Sequence, residues 1–349
     1  MRNKLSYITF LFLVVQIASC KKIPPPTNEM LPVERFHDNI VITGTQYTSK
    51  IGNKLYFDVS AVSLKNGKSH NMYHDSAFQN YSQTAPSLTI EVQSVDRNES
   101  QLNLSYDVIL LIDLTQPDFA SWVGPEFLNH ISRIIRICNQ SPDKNIAVGY
   151  FARNVNGNEQ VIFCQNPVTG GLFDNDVQYM IEFLGQNFEK IGQFENSSML
   201  DAVNVSVDKL VEYSQSANKS IVLINGNDDD GQSSITSSQL SQKCIANNVS
   251  VNYINWGQNY CGYIQMALET GGFYGVTNSI GQFESVVFCI HELLSKNYSS
   301  YSLHCMASRP QSWVANSSIC AALDVFYYEE IDCWETATIL ELCRGPVET

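Results

Sequence analysis

The sequence predicts an α/β fold in which a doubly wound, mainly parallel β-sheet is flanked by β-rich N- and C-terminal segments. The first observation is the continuous apolar run between Asp107 and Asp113, which is typical of a strand buried on both faces. The second is a similar run at 219–225. The third is the alternation of strand and helix patterns from 106 to 296, which favours a parallel sheet with helices on both faces.

Hydrophobic periodicity places the elements of this region in order. Helices are predicted where apolar residues recur every three or four positions, at about 118–138, 174–188, 198–213, 235–247, 261–270 and 281–296. Further strands are predicted at 145–151, 159–164, 249–255 and near 273–276. Residues 35–104 and the tail from 299 contain alternating segments rich in β-branched and aromatic residues, so both predict strands.

The first twenty residues predict an export signal and a lipid anchor. Arg2 and Lys4 precede the apolar run Leu5–Ile17, which suits a signal peptide and is short for a membrane span. Small residues then lead into Cys20, and this junction resembles the bacterial lipobox. The resemblance implies cleavage before Cys20 and a lipid on its thiol that holds the protein on a membrane. An ordinary signal peptide is the alternative.

Composition and segment boundaries narrow the class of protein. The net charge of −14 argues against a nucleic-acid partner, because an acidic surface repels phosphates. A lipidated, exported chain is expected in a bacterial cell envelope, facing the periplasm or the cell surface. The predicted segments are the signal peptide (1–19), the lipidated cysteine with a proline-rich tether (20–34), a β-rich segment (35–104), the α/β domain (105–297) and a cysteine-rich β tail that could pack on the N-terminal β segment (298–349). The β-rich segment is expected to be sandwich-like, or to have its strands packed against the α/β domain.

The ten cysteines predict two kinds of behaviour. An exported chain can form disulfides, so at least one is expected among the four cysteines of the tail: Cys305, Cys320, Cys333 and Cys343. Four others fall within predicted helices and strands and are expected to be buried as small apolar residues: Cys138, Cys164, Cys244 and Cys289.

Four segments within 105–297 resemble the von Willebrand factor A (VWA) family, and they occur in the family's order. Val108–Pro117 resembles the strand and loop that end in Asp-x-Ser-x-Ser, and Asn196–Val203 resembles the segment Thr-x-x-x-Asp-Ala that opens a helix. Ile221–Asp228 is similar to the strand that ends in Thr-Asp-Gly, and Leu268–Tyr274 to a late Thr-Gly-Gly turn. The resemblance implies a VWA or Rossmann-like fold and a role in binding another protein.

The resemblance also implies a ligand crevice shared by the first three segments. Open α/β sheets bind ligands beyond the carboxyl ends of their strands, at the point where strand order reverses, so the first and fourth strands of the domain should flank this crevice. In the family the crevice holds one divalent cation through oxygen ligands, and a partner's acidic side chain can complete the coordination. The candidate crevice residues are Asp113, Thr115, Ser197, Asn225 and Asp228.

Two departures from the family predict that this crevice has no functional metal site. Pro117 replaces a serine hydroxyl, and Asn225 replaces an aspartate. No cofactor is therefore expected; if Mg²⁺ or Ca²⁺ binds, its implied ligands are Asp113, Thr115 and Ser197, which acids at 228–230 could supplement. Without metal, the Asn225 amide is expected to donate to Asp113, and Asp201 to have a structural role at the start of its helix.

Catalytic patterns are weaker than these binding features. The chain has no Gly-x-Ser-x-Gly elbow, and none of its six histidines ends a predicted α/β strand. The sequence therefore predicts a membrane-anchored binding protein, not an enzyme, whose VWA-like domain serves adhesion or envelope scaffolding through a protein partner. A cell-envelope hydrolase and a metal-dependent VWA adhesin remain as alternatives. A secreted eukaryotic A-domain protein, suggested by Asn-x-Ser triplets, fits the lipobox junction less well.

Overall fold

A computed structural model gives the architecture of most of the chain from Asn39 onward. The signal peptide (1–19), Cys20 and the tether to residue 34 lie outside the described residues. The structure describes residues 39–51, 54–65, 68–69, 89–98, 102–114, 117–139, 142–153, 159–188, 198–225, 233–256, 261–277, 280–298, 300–308, 319–329 and 333–344.

The described residues form thirteen strands and six helices, which are numbered here along the chain. The strands are β1 (Asn39–Ile51), β2 (Lys54–Lys65), β3 (Lys68–Ser69), β4 (Thr89–Asn98), β5 (Tyr106–Asp113), β6 (Lys144–Arg153), β7 (Glu159–Phe163), β8 (Lys219–Asn225), β9 (Val249–Trp256), β10 (Tyr274–Thr277), β11 (Ser300–Ser308), β12 (Ile319–Glu329) and β13 (Cys333–Arg344). The helices are α1 (Pro117–Cys138), α2 (Val177–Phe188), α3 (Met199–Tyr213), α4 (Ser237–Ala246), α5 (Cys261–Glu269) and α6 (Ile280–Leu294).

One eleven-stranded sheet contains every described strand except β12 and β13, which pair with each other. Its strand order is β4-β11-β2-β1-β10-β9-β8-β5-β6-β7, with β3 beside β2. Strands β10, β9, β8, β5 and β6 are parallel, and β7 runs antiparallel to β6. The predicted fold class, a doubly wound and mainly parallel sheet between β-rich flanks, is confirmed.

Helices cover both faces of the parallel strands. Helices α3, α4 and α5 share one apolar core with Leu111 and Leu223, and helices α1, α2 and α6 share the other with Ile112 and Ile224. Every residue of β5 is buried, because successive side chains of a strand enter opposite cores. This explains why the strand appears in the sequence as a continuous apolar run.

Strand order reverses between β5 and β8. The two strands are adjacent and parallel, with Asp107 opposite Lys219 and Ile112 opposite Ile224, as the sequence predicted. Strand β6, which follows β5 in the chain, lies on the other side of β5. At such a reversal the connections leave in opposite directions, which opens a crevice beyond the carboxyl ends of the two strands.

The β-rich flanks extend this sheet. Strand β1 pairs antiparallel with β10, and the tail strand β11 lies between β2 and β4. The sequence left two arrangements open for 35–104, a sandwich-like segment or strands packed against the α/β domain; its described strands continue the central sheet. Strand β10 would otherwise be an edge strand, and its pairing with β1, in which Ile42 lies opposite Tyr274, covers part of that edge.

The Gly271-Gly272 pair, which the sequence places in the late turn, has a packing reason. Gly271 has φ of +74°, in the region that favours glycine, and a Cβ on Gly272 would lie 2.0 Å from the carbonyl oxygen of Val251. Thr270 Oγ1 accepts a 2.9 Å hydrogen bond from the backbone N–H of Val251. The turn therefore fastens the end of α5 to β9 and starts β10 in register with it.

Candidate binding crevice at the carboxyl edge of the sheet

Asp113 and Asn225 lie at the carboxyl ends of the two strands that flank the reversal. Both side chains are fully buried, with 0% exposure. The strand alternation that directs Leu111 and Leu223 toward α3 directs these two residues to the same face. The amide nitrogen of Asn225 lies 2.8 Å from Sδ of Met199, the first residue of α3. The hydrogen bond predicted from Asn225 to Asp113 stays a prediction.

Asp201 fastens the first turn of α3 to the segment that leads from β8 into α4. Its Oδ2 accepts a 2.9 Å bond from the backbone N–H of Ser234, and its Oδ1 accepts a 2.9 Å bond from the Ser234 hydroxyl. The backbone N–H of Asp201 in turn donates to Ser233 Oγ at 3.1 Å. The structural role that the sequence suggested for Asp201 thus includes a link between two loops of the carboxyl edge.

A cavity of about 590 Å³ opens beside Asp201 and Ser234. One wall comes from the neighbouring ends of β6 and β7 and is largely apolar, and the other comes from the first turns of α3 and is largely polar. The described lining consists of Phe151, Ala152, Val161, Ile162, Ser198, Asp201, Ala202, Asn204, Val205 and Ser234. Phe151 pairs in register with Asp113, so the cavity adjoins the crevice across a single strand spacing.

Several predicted crevice residues cannot be placed. Thr115, Ser197 and Asp228 lie outside the described residues, as does the acidic run that continues to 230. Pro117 is the first residue of α1, a position where proline is favoured because its missing N–H has no intrahelical partner. The structure therefore brings together Asp113 and Asn225 and adds the Asp201 link and the cavity, which no sequence motif indicated.

The described part of the crevice holds two of the candidate ligands. It offers one carboxyl group, on Asp113, and one amide, on Asn225, whose nitrogen contacts Met199 Sδ. Magnesium requires near-octahedral oxygen coordination and loses its water reluctantly. Among the described residues, no cluster of three or more His, Cys, Asp or Glu side chains could hold a metal ion.

A cluster of one histidine and two aspartates, which sequence reasoning missed, lies in the β-rich flank. His304 on β11 contacts Asp58 Oδ1 through Nδ1 at 2.7 Å and Asp96 Oδ2 through Nε2 at 3.0 Å. Both hydrogen bonds raise the pKa of His304, and the bond to Asp96 contributes more than the bond to Asp58. The three residues come from three adjacent strands, so their proximity depends on strand order, which no local pattern reveals.

The cysteines are confirmed in part. Cys138, Cys164 and Cys244 are buried free thiols, as the sequence predicted, whereas Cys289 lies outside the residues whose side chains are described. Cys305 is also a buried free thiol, which corrects its inclusion among the disulfide candidates: it belongs to the apolar core beneath α3, α4 and α5. The side chains of Cys320, Cys333 and Cys343 lie outside the description, and no disulfide occurs in the part of the chain it covers.

No family model and no curated protein sequence matches this chain. Similar solved structures include a von Willebrand factor type A protein from Catenulispora acidiphila (8% identity, 89% of this chain and 73% of that chain, TM-score 0.44), the human COPII-coat protein Sec24c (8%, 70% and 44%, TM-score 0.41) and proximal thread matrix protein 1 from the mussel byssus (13%, 62% and 50%, TM-score 0.42). This chain spans less than two thirds of the last two. VWA domains recur among the similar structures, but likenesses this distant say nothing about ligands or partners.

Proposed function

We propose that this chain is a lipid-anchored protein of the bacterial cell envelope that binds another protein at the carboxyl edge of its sheet. The VWA-like motifs and the lipobox junction motivate the class and the location. The observation that carries the proposal is the cavity of about 590 Å³ that lies one strand away from the crevice at the reversal of strand order. Open α/β sheets bind their ligands at this position, and the volume lies within the range of about 300–1,000 Å³ typical of ligand pockets.

The chemistry of the crevice supports binding rather than catalysis. Its described lining contains no histidine and no cysteine, and Asp201 is the one carboxylate among those residues, where it holds Ser234 through both the hydroxyl and the backbone N–H. His130 and His291 lie in α1 and α6, on the opposite face of the sheet. Burial lowers the pKa of His291, which bonds Tyr106 at the amino end of β5. A hydrolase whose site uses other residues is the competing proposal.

The proposed binding does not require a metal. The amide of Asn225 and the proline at 117 replace two of the oxygen ligands that the family pattern implies, and the described donors do not complete a magnesium site. Partner binding is therefore expected to be unchanged by EDTA. A metal-dependent adhesin, the other alternative, would lose its partner on chelation.

Crosslinking in the native envelope tests the proposed binding surface. Val205 lines the cavity and is 36% exposed, whereas Val211, on the same helix, is 49% exposed and is not among the lining residues. A protein that crosslinks to the wild type should be lost with Val205→Trp, which fills the cavity mouth, and kept with Val211→Trp. Equal recovery with both variants would exclude this cavity as the binding site. A small-molecule turnover that one point change abolishes would instead favour the hydrolase.

The anchor has its own test. Among the described residues, no helix has both the length and the apolarity needed to cross a membrane. Replacing Cys20 with alanine should release the protein from membranes or leave it unprocessed, because the acyl chains would have no thiol to carry them. Mass spectrometry of the mature N-terminus decides the matter: an unmodified peptide that starts elsewhere would exclude lipidation.

A further inference from the structure

We propose that the cavity at the carboxyl edge receives a lysine or arginine side chain of the partner polypeptide. This inference rests on the proposed function and deepens it by naming the chemistry of the partner. It also differs from what the family pattern implies, in which a partner's acidic group reaches a bound cation.

The first argument is the charge of the lining. Asp201 contributes a carboxylate to the cavity wall, and no lysine or arginine occurs among the described lining residues. Lys243 lies nearby, but its ammonium group binds Asn204 Oδ1 at 2.6 Å and Asp208 Oδ1 at 2.7 Å, so its charge is directed to α3. Asp201 is thus the one formally charged side chain among the described lining residues.

The second argument is the remaining hydrogen-bonding capacity of Asp201. An ionised carboxylate has about four acceptor positions. The bonds from the backbone N–H and the hydroxyl of Ser234 occupy two of the acceptor positions of Asp201, one on each oxygen. The same two bonds fix the orientation of the group, so a cation that approaches from the cavity would meet a positioned acceptor. Bonds of this kind between charged groups are about twice as strong as neutral ones.

The third argument is the apolar wall opposite Asp201. Phe151, Val161 and Ile162 provide an apolar surface from the ends of β6 and β7. Lysine and arginine have long aliphatic stems that pack on apolar surfaces while the charged group reaches a polar partner. A partner's glutamate or aspartate would have a shorter stem and would face Asp201, and like charges brought together at an interface cost several kcal/mol.

Site-directed photocrosslinking identifies the partner segment. A diazirine amino acid close in size to leucine is placed at position 205, or at position 211 as the control, in the full-length anchored protein. Mass spectrometry then gives the sequence attached to position 205, which is expected to contain a lysine or arginine. An attached segment with acidic but no basic residues would overturn the inference and leave the proposed function intact. A failure of position 205 to attach to any protein would remove both.

Affinity measurements with the synthetic peptide of the attached segment test the role of Asp201. Asp201→Asn should weaken binding of the peptide at least tenfold, and Asp201→Glu should keep most of the affinity. A peptide in which glutamine replaces the basic residue should bind the wild type no better than it binds Asp201→Asn. Asp208→Asn, an equal change of charge on an exposed residue of the same helix, should have no effect. Equal affinities of Asp201→Asn and Asp208→Asn would overturn the inference, provided that thermal unfolding shows both variants folded.

Discussion

Removal of the Asp107 side chain tests how the amino end of β5 is held. Asp107 is 4% exposed. Its Oδ1 accepts a 2.7 Å bond from Asn145 Nδ2, and its Oδ2 accepts bonds from Ser214 Oγ at 2.7 Å and from the backbone N–H groups of Gln215 and Ser216 at 3.1 and 3.2 Å. One carboxyl group thus joins β5 to β6 and to the turn between α3 and β8.

The expected magnitude follows from these four bonds. Hydrogen bonds to charged groups contribute about 1.5–3 kcal/mol each when well buried. Because the turn at 214–216 borders solvent, we take about 1 kcal/mol per bond, so Asp107→Ala should lower the free energy of unfolding by about 4 kcal/mol. In a domain of this size, about 1 kcal/mol corresponds to roughly 2–4 °C in Tm, so a decrease of about 8–16 °C is expected.

Asp107→Asn should be milder. The amide keeps one oxygen for the turn, and the Asn145 side chain can reverse to accept from the new amide nitrogen, so mainly the charge is lost, at about 1–2 kcal/mol. Urea unfolding followed by circular dichroism measures both variants, with Asp208→Asn, which breaks an exposed ion pair, as a control expected to change stability by less than about 1 kcal/mol. A loss below about 1 kcal/mol for Asp107→Ala would refute the argument.

Three further predictions concern other sites. The hydrogen bonds of His304 to Asp96 and Asp58 raise its pKa from 6.5, so they stabilise the fold below pH 6.5, and this contribution is lost as pH rises through the folded pKa. The difference in Tm between wild type and His304→Gln should therefore shrink from acid to alkaline pH. A constant difference would contradict this. Asn225→Asp removes the contact with Met199 Sδ and adds a buried acid beside Asp113, so this variant should be less stable than the wild type in EDTA and should regain some stability in Mg²⁺. Calorimetry of the wild type should show no Mg²⁺, Mn²⁺ or Ca²⁺ site tighter than about 100 µM. Burial raises the pKa of the Cys164 thiol to about 11 and the pKa values of the Cys138, Cys244 and Cys305 thiols to about 12. Iodoacetamide at neutral pH should therefore modify these four thiols only after unfolding, as peptide mass spectrometry would show.

The α/β region could be predicted closely from the sequence because each of its helices and strands has a characteristic hydrophobic pattern. The helix predicted at 118–138 begins at Pro117 and ends at Cys138, and the strand predicted at 219–225 has these bounds. Each element packs an apolar stripe or two apolar faces against the sheet, so its hydrophobic pattern reports its extent directly. The placement of Asp113 and Asn225 on adjacent strands followed from the motif order and the rule for strand reversal.

Strand partners in the flanks could not be predicted in this way. The sequence allowed for the tail to pack on the N-terminal β segment, but an alternating pattern does not specify that β11 pairs with both β2 and β4, which lie more than 200 residues earlier in the chain. The Asp58–His304–Asp96 contacts depend on that pairing. Asp107 is a similar case: the sequence shows an acid at each end of β5, and only the turn at 214–216 distinguishes the anchored acid from the one at the crevice.

The two departures from the metal-site pattern each involve the start of a helix. Pro117 opens α1, where its ring is compatible with the helix, and the Asn225 amide contacts Met199 at the start of α3. The Asn225 contact connects the carboxyl edge to α3. We expect the crevice to keep its shape without a metal, and Asp201 is the charged side chain among the described residues that line the adjoining cavity. Partner binding should consequently be weakened by salt, which screens exposed charges over about 10 Å at 0.1 M, and not by EDTA, whereas binding through a metal would show strong sensitivity to the chelator.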